Sequence, residues 1–243
     1  MKNYIPAVLF SLAIVLAAYF VGNAYLKRAQ VNDTIRVKGL GKKDFVSDLI
    51  VWEGTFTAQN MNLREAYKQL DVDKKIISDY LKSKGVKPEE IVFQSVRIDE
   101  LTRSQYNDEG RYMGDVFLGY KLSQDVKIKS KEVEKIEKVS REISELLTRG
   151  VQFYSHPPRY YYTKLADLKL EMISRATEDA RKRAEKIAEF SGGKLGKLKS
   201  AQMGIFQITG QYSDEDYSWG GTFNTKDKEK TASITMKLVY SIK

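Results

Sequence analysis

The chain has 243 residues, no cysteine, one histidine and a formal net charge of +9. The lack of cysteine excludes disulfides, thiol nucleophiles, cysteine metal sites and lipidation of the lipoprotein kind, which requires that residue. Apolar residues make up 42% of the sequence, enough for one large or two small domains with a real core. Lysine and arginine are spread along the chain beside acidic residues, so the charge favours an anionic surface, such as lipid headgroups or a charged polymer, over nucleic acid.

The first predicted element is an N-terminal apolar helix. Residues 5–26 carry no charge, and at about 1.5 Å per residue they reach roughly 33 Å, enough to cross a hydrocarbon core of about 30 Å. Residues 1–26 are therefore interpreted as a transmembrane anchor and residues 27–33 as a linker. A cleaved signal peptide is the alternative, because Gly22 and Ala24 supply the small residues that a signal peptidase needs. With a short tail before the helix and a long domain after it, we expect residues 34–243 to lie outside the cytoplasm.

The first part of this domain predicts the order strand, strand, helix, strand, strand. Alternating apolar residues predict two strands whose inward-facing positions are Ile35, Val37, Leu49 and Val51. The connection between them is placed from Gly39 to Asp48. Asn62 is a cap that begins the helix, and Gly85 ends it. Two further strands, residues 91–104 and 112–128, flank a turn at 107–110.

The second part begins with a helix near residues 133–146, ended by Gly150, and a short strand at 151–154. A long amphipathic helix follows, with one apolar face made of Leu165, Leu168, Met172, Ala176, Ala180, Ala184 and Ile187. Since alanine has no bulk beyond a methyl group, this helix can approach a neighbour closely. A strand near residues 198–209 and a closing strand complete the chain. The inward positions of the closing strand are Ile234, Met236, Leu238 and Tyr240.

Strands and helices do not alternate strictly, which predicts an α+β fold of antiparallel sheets with helices packed on one face. The pattern is also consistent with a duplicated half, one helix-bearing part after another, although no clean sequence repeat is present.

Several short segments resemble the SIMPL family of bacterial secreted and envelope proteins. The signature of that family is an Ala-x-x-x-Ala helix that runs into a Gly-Lys-Leu-Gly strand, and an opening Val-x-Gly-x-Gly strand precedes it. The matching positions are Gly39, Gly41, Asp48, Gly119, Tyr120, Ala180, Ala184, Gly193 and Gly196. The chain departs from the family pattern at Ser47, where a proline is usual, and at the charged run 226–230, which replaces a Pro-Gly pair.

This resemblance implies an envelope location and a fold, and it implies no shared catalytic residues. Combined with the apolar helix, it predicts a single-pass protein of the inner membrane with its domain in the periplasm or otherwise outside the cytoplasm. Cleavage of the helix would instead give a secreted or periplasmic protein.

No motif in the sequence requires catalysis, a cofactor or a metal. The run from Gly39 to Lys43 is not a phosphate-binding loop, because a strand and not a helix is predicted after it. His156 lies in a Ser-His-Pro-Pro bend without a nucleophile motif, so we interpret it as part of a rigid surface turn. We therefore expect no enzymatic activity, no cofactor and no metal site.

Two aromatic clusters are candidate binding or assembly surfaces. Tyr160 and Tyr162 fall on one side of an extended segment and combine an apolar ring with a polar tip, although core packing is the alternative. Trp219 lies in an acidic, glycine-bearing loop and is expected to be exposed.

The sequence therefore predicts an envelope protein, membrane-anchored or secreted, that acts by self-association or by binding a partner protein or an envelope polymer. Exposed edge strands and the alanine edge of the long helix are the expected contacts of a homo-oligomer. The alternative is an extracytoplasmic hydrolase or polysaccharide-binding protein.

Overall fold

The computed structural model describes residues 5–30 and 33–243. An apolar helix, α1 (Ile5–Gln30), precedes two antiparallel sheets that carry helices on one face, which confirms the predicted α+β class. The helix continues into the segment predicted as a linker, and residues 31–32 of that segment lie outside the described residues, as do residues 1–4 of the predicted anchor.

One sheet is built from both ends of the body and is called here the terminal unit. Its strands are β1 (Thr34–Val46), β7 (Leu195–Met203), β8 (Gln207–Gly210) and β9 (Glu229–Ile242), and helix α4 (Leu165–Phe190) covers it. Strand β9 is central, with β1 on one side and β7 and β8 on the other.

The other sheet, the inserted unit, is built from the chain between β1 and α4. Its strands are β2 (Leu49–Asn60), β3 (Ile91–Tyr106), β4 (Tyr112–Ser130), β5 (Phe153–Ser155) and β6 (Arg159–Tyr161). Its helices are α2 (Leu63–Ser83), a 3₁₀ turn (Pro88–Glu90), and α3 (Val133–Glu142), which continues as a 3₁₀ helix (Ile143–Arg149). The strand order is β3-β4-β2, with β5 and β6 both paired to β2.

The two units are not consecutive halves. Strand β1 pairs along its whole length with β9, so that Thr34 lies opposite Ser241. The chain leaves the terminal unit after β1, forms the complete inserted unit, and returns after β6. The chain therefore contains two helix-covered sheets, as a duplicated half would. One of them is inserted into the chain of the other and does not follow it.

Each unit has its own core. In the inserted unit the core consists of large side chains such as Trp52, Phe56 and Leu122, all completely buried. In the terminal unit the sheet contributes large residues from β1 and β9, while most of the buried positions of α4 are alanine.

Three local predictions were wrong. Strand β1 runs through Gly39 and Gly41 to Val46, so only Ser47 and Asp48 connect it to β2. The inner face of β2 carries Ile50 and Trp52, not Leu49 and Val51.

The third correction concerns the apolar face of α4. Ile187 is 46% exposed, and Ala188 occupies the buried position one residue later. The apolar face therefore keeps a spacing of four residues through its last turns.

Candidate functional site

The signature glycines of β1 lie against the signature alanines of α4. A Cβ atom placed on Gly39 would lie 2.1 Å from the carbonyl oxygen of Ala176, and one on Gly41 would lie 2.4 Å from that of Met172. The backbones of the helix and the strand approach too closely for any side chain between them. The Gly-x-Gly and Ala-x-x-x-Ala motifs thus form one packing feature, called here the glycine–alanine seam.

The seam buries the alanine edge of α4, which was expected to contact a second protomer. Ala176, Ala180 and Ala184 are fully buried within the chain itself. That part of the self-association prediction is wrong, because periodicity identifies an apolar face but does not say which element covers it.

Gly193 and Gly196 of the signature are also close-approach positions. A Cβ atom at Gly193 would lie 2.9 Å from the side chain of Ile242, and one at Gly196 would lie 2.4 Å from Oγ of Ser241. These glycines allow the end of α4 and the start of β7 to pack against the end of β9. Their role is therefore structural.

Two acidic residues accept hydrogen bonds from backbone N–H groups at the edges of the terminal unit. The carboxylate of Asp48 accepts hydrogen bonds from the backbone N–H and the hydroxyl of Thr163, each at 2.6 Å, and so fixes the chain just before α4. Asp179 accepts from the backbone N–H of Leu40 at 2.9 Å, and this bond is the largest cause that lowers the pKa of its carboxyl group. The signature position Asp48 is therefore a connector between the units.

Gly119 and Tyr120 lie in β4 beside the start of α2, where the helix layer of the inserted unit ends. Gly119 has φ of +125°, and a Cβ atom there would lie 2.8 Å from the carbonyl oxygen of Asn60, just before α2 begins. Tyr120 is half-buried, and its ring packs on that of Phe117, with centroids 5.1 Å apart.

Beyond Gly119 the β3–β4 hairpin continues, and no helix in the described part of the chain covers either of its faces. Residues 97–118, called here the hairpin arm, are exposed apart from the partly covered Leu101 and Gly114. Its large exposed apolar side chains are Ile98, Tyr106, Tyr112, Met113, Val116, Phe117 and Leu118. From residue 97 to residue 106 the arm extends about 30 Å at roughly 3.3 Å per residue. Strand β3 is at the edge of its sheet, and within residues 5–30 and 33–243 it pairs only with β4.

The predicted tyrosine surface does not exist as such. Tyr160 is 8% exposed and belongs to the core of the inserted unit, where burial raises the pKa of its hydroxyl. Tyr162 is half-buried, with its ring 4.9 Å from that of Phe45. Because side chains alternate along a strand, it is Tyr161 that faces outward.

Lys230 is a buried cation at the contact between the units. Its side chain is 2% exposed, and Nζ donates to the carbonyl oxygen of Tyr160 at 2.5 Å. Burial lowers the pKa of this amine to about 8, although the nearby carboxylates of Asp227 and Glu215 act in the opposite direction.

A depression of about 620 Å³ lies at the contact between the units, on the face of the central strands opposite α2 and α3. We call it the junction depression. Its apolar lining is Val51, Pro157, Pro158 and Tyr161. Its polar lining is Glu53, Lys127, His156, Arg159 and Lys226. Its volume falls within the range of about 300–1,000 Å³ that is typical of ligand sites.

His156 is held by two residues at the edge of this depression. Thr55 Oγ1 donates to Asp125 Oδ1 at 2.5 Å and lies 3.1 Å from His156 Nε2. Because the one hydroxyl hydrogen of Thr55 is directed at the carboxylate, the imidazole must be the donor to Thr55. This arrangement orients the ring and leaves Nδ1 free to accept a hydrogen bond, but it does not activate Thr55 as a nucleophile.

The charges in the depression do not balance. Glu53 pairs with Lys127 at 2.7 Å, whereas Arg159 and Lys226 have no ion pair among the described residues. One carboxylate therefore faces three cations. The sequence did not predict this site because its residues come from four separate segments. The Pro-Pro bend, which was identified, is the only local signal.

Trp219 is 95% exposed, as is Tyr212, in the loop between β8 and β9. The acidic residue Glu215 of this loop accepts from the backbone N–H of Gly210 and from the side chain of Asn224, at 3.1 and 2.7 Å. Among the described residues no group of three or more histidine or acidic side chains could hold a metal ion.

Helix α1 is long enough and apolar enough to cross a membrane. Its window Val8–Tyr25 has a mean hydropathy of 1.9, and none of it is buried against the body. A signal sequence near the N-terminus has the same properties, so the structure supports an anchor or a signal and does not separate the two.

Comparison with protein-family models matches residues 35–237 to a family described as SIMPL, protein of unknown function (DUF541). No curated protein matches the chain. The matched segment contains both units almost completely and includes the seam, the arm and the junction depression.

Proposed function

Because the chain belongs to the SIMPL family, we propose that it is a cell-envelope protein, held at the inner membrane by α1, that works by associating with further copies of itself and not by catalysis. The observation that carries this proposal is the hairpin arm.

The arm has the properties of an association surface. It exposes seven large apolar side chains within 22 residues, and exposed apolar surface of this extent is typical of an interaction site. It also has a free β3 edge, whose unpaired backbone groups can extend a sheet into another chain.

Charges along β3 favour a second copy of this chain as the partner. Two β3 edges related by a two-fold axis run antiparallel. When the axis passes through Leu101, Asp99 of each copy lies opposite Arg103 of the other. Opposite charges at facing positions stabilise an antiparallel pair, whereas like charges destabilise it.

The apolar part of this contact is tested with the full chain extracted in detergent, by measuring its mass with light scattering. We expect the double variant Met113→Ser and Phe117→Ser to shift the oligomer toward the monomer. The matched control is Leu170→Ser, since Leu170 is 66% exposed on α4, outside the arm. A wild-type chain that is strictly monomeric contradicts the proposal. A hydrolytic activity of that monomer that is lost in His156→Ala would favour the hydrolase alternative.

The register of the contact is tested by charge reversal. Asp99→Arg and Arg103→Asp each place like charges opposite one another, and each variant alone should associate on the order of ten-fold more weakly than the wild type. A mixture of the two variants restores both opposite-charge pairs and should form hetero-oligomers. Failure of the mixture to recover association would exclude this register.

The membrane part is tested separately. If α1 is an uncleaved anchor, the mature protein begins at Met1 and resists carbonate extraction. A mature N-terminus at Tyr25 would show that the helix is a signal peptide and would exclude anchoring.

A further inference from the structure

We propose that the junction depression is a binding site for an acidic sugar, meaning a sugar ring that carries a carboxylate or a phosphate group. In this site Arg159 and Lys226 bind the anionic group, and the apolar wall of the depression contacts the ring.

The unbalanced charge is the first argument. Lys127 is neutralised by Glu53 at 2.7 Å, which leaves Arg159 and Lys226 to bind an external anion. The planar guanidinium group of an arginine can donate two parallel hydrogen bonds to one carboxylate or phosphate.

The backbones that carry the two cations are fixed to each other, although they come from different units. Tyr160, next to Arg159, donates its backbone N–H to the carbonyl oxygen of Thr225, next to Lys226, at 2.8 Å. The side chain of Asn224 is buried, and its Oδ1 accepts from the backbone N–H of Lys226 at 3.0 Å. Because these bonds fix both backbones, ligand binding has to order only the two side chains and not the chain segments that carry them.

The remaining lining fits a sugar ring. Pro157, Pro158 and Tyr161 present apolar surface to the C–H face of the ring. His156, oriented by Thr55 at 3.1 Å, offers Nδ1 to a sugar hydroxyl group. A small group of placed polar atoms beside apolar surface is the usual composition of a ligand site.

The test uses the full chain in detergent and isothermal titration with four probes: glucuronate, glucose 1-phosphate, glucose and inorganic phosphate. We expect both acidic sugars to bind at least about ten-fold more tightly than glucose, because only they carry the charge that Arg159 and Lys226 bind. We also expect both to bind more tightly than inorganic phosphate, which has no ring.

Matched variants locate the site. Arg159→Gln and Lys226→Gln should each weaken both acidic sugars by roughly ten-fold. Arg36→Gln and Lys199→Gln remove exposed cations from the terminal sheet that have no ion pair among the described residues, and they should change nothing. Thr55→Val removes the hydroxyl group that orients His156 and donates to Asp125, and it should weaken the sugars a few-fold and leave phosphate unchanged. Thermal melting of each variant establishes that it is folded.

Four results would overturn the proposal. These are no binding of either acidic sugar up to about 10 mM, equal affinity for glucose, equal affinity for inorganic phosphate, or equal losses in the control variants. None of these results depends on the state of association, so the self-association proposal stands or fails independently.

Discussion

The two units cover their sheets with helices in opposite ways. In the terminal unit, α4 presents alanine to the glycines of β1, and a Cβ atom at Gly39 would overlap the helix backbone. In the inserted unit, α2 and α3 present large residues such as Leu70 and Ile136 to Trp52 and Phe56. In the terminal unit the distance between helix and sheet is set by contact between their backbones. In the inserted unit it is set by the volume of the side chains between them. Added volume should therefore damage the first, and removed volume should damage the second.

The largest effect is expected in the inserted unit. Phe56 is completely buried, and Phe56→Ala leaves a cavity that should lower the free energy of unfolding by about 3–5 kcal/mol. Ala176→Gly, the corresponding truncation in the terminal unit, should cost only about 1 kcal/mol, mainly from helix propensity. Denaturant unfolding measures both changes, and equal losses would show that the two interfaces do not differ in this way.

Adding a single methyl group at the seam should destabilise the terminal unit. Gly39→Ala places that group 2.1 Å from a backbone oxygen of α4, and we expect a loss of about 2–3 kcal/mol. Gly220→Ala is the control, because its methyl group would meet only Ser218 Oγ at 4.0 Å, and its effect should stay within about 0.5 kcal/mol. If Gly39→Ala were neutral, α4 would have to lie farther from β1 than described.

The same seam can be overfilled from the helix side. Ala180→Leu or Ala184→Leu should cost on the order of 1–3 kcal/mol, because both alanines are fully buried against the sheet. Glu178→Gln changes an exposed residue of the same helix, and should cost a few tenths of a kcal/mol. Equal effects at the alanines and at Glu178 would contradict the assignment of the alanines to the buried face of α4 and of Glu178 to its exposed face.

The smallest expected effect is a pH dependence of stability that comes from Lys230, at the contact between the units. Below pH 8 Lys230 is charged in both the folded and the unfolded protein, so the folded state carries the full burial penalty. Between pH 8 and its ordinary pKa of 10.5, the folded protein loses this proton first, and the free energy of unfolding therefore rises with pH. We expect Lys230→Met to lack a rise of about 1–2 kcal/mol between pH 8 and 10. Parallel pH profiles of the wild type and the variant would refute this.

Much of the fold could be predicted because its signals are local. The alanine spacing of α4, the cap at Asn62 and the alternation in β9 each act within a few residues. The inner face of β2 could not be chosen from Leu49, Ile50, Val51 and Trp52, because all four are apolar and alternation does not distinguish their sides. Glu53 was the usable signal, since it shares a side with Val51 and marks that side as outward.

The candidate sites were less predictable because they depend on distant parts of the chain. Thr55, Asp125 and His156 are ordinary residues in sequence, and only the pairing of β2 with β4 and β5 brings them together. The arm is predictable as a hairpin, but not as an exposed one, because its exposure depends on where α2 begins.

The insertion of one unit into the other has a consequence for synthesis on the ribosome. The inserted unit is continuous in sequence, so residues 49–161 contain every strand and helix that it needs to fold. Strand β1 is made earlier, but its partner β9 is the last strand, with Ser241 opposite Thr34. At about 5–20 residues per second, β1 waits roughly 10–40 s for that partner. During this interval its edges are open to other chains, so the terminal unit is the part of the molecule that is exposed longest to wrong strand pairing.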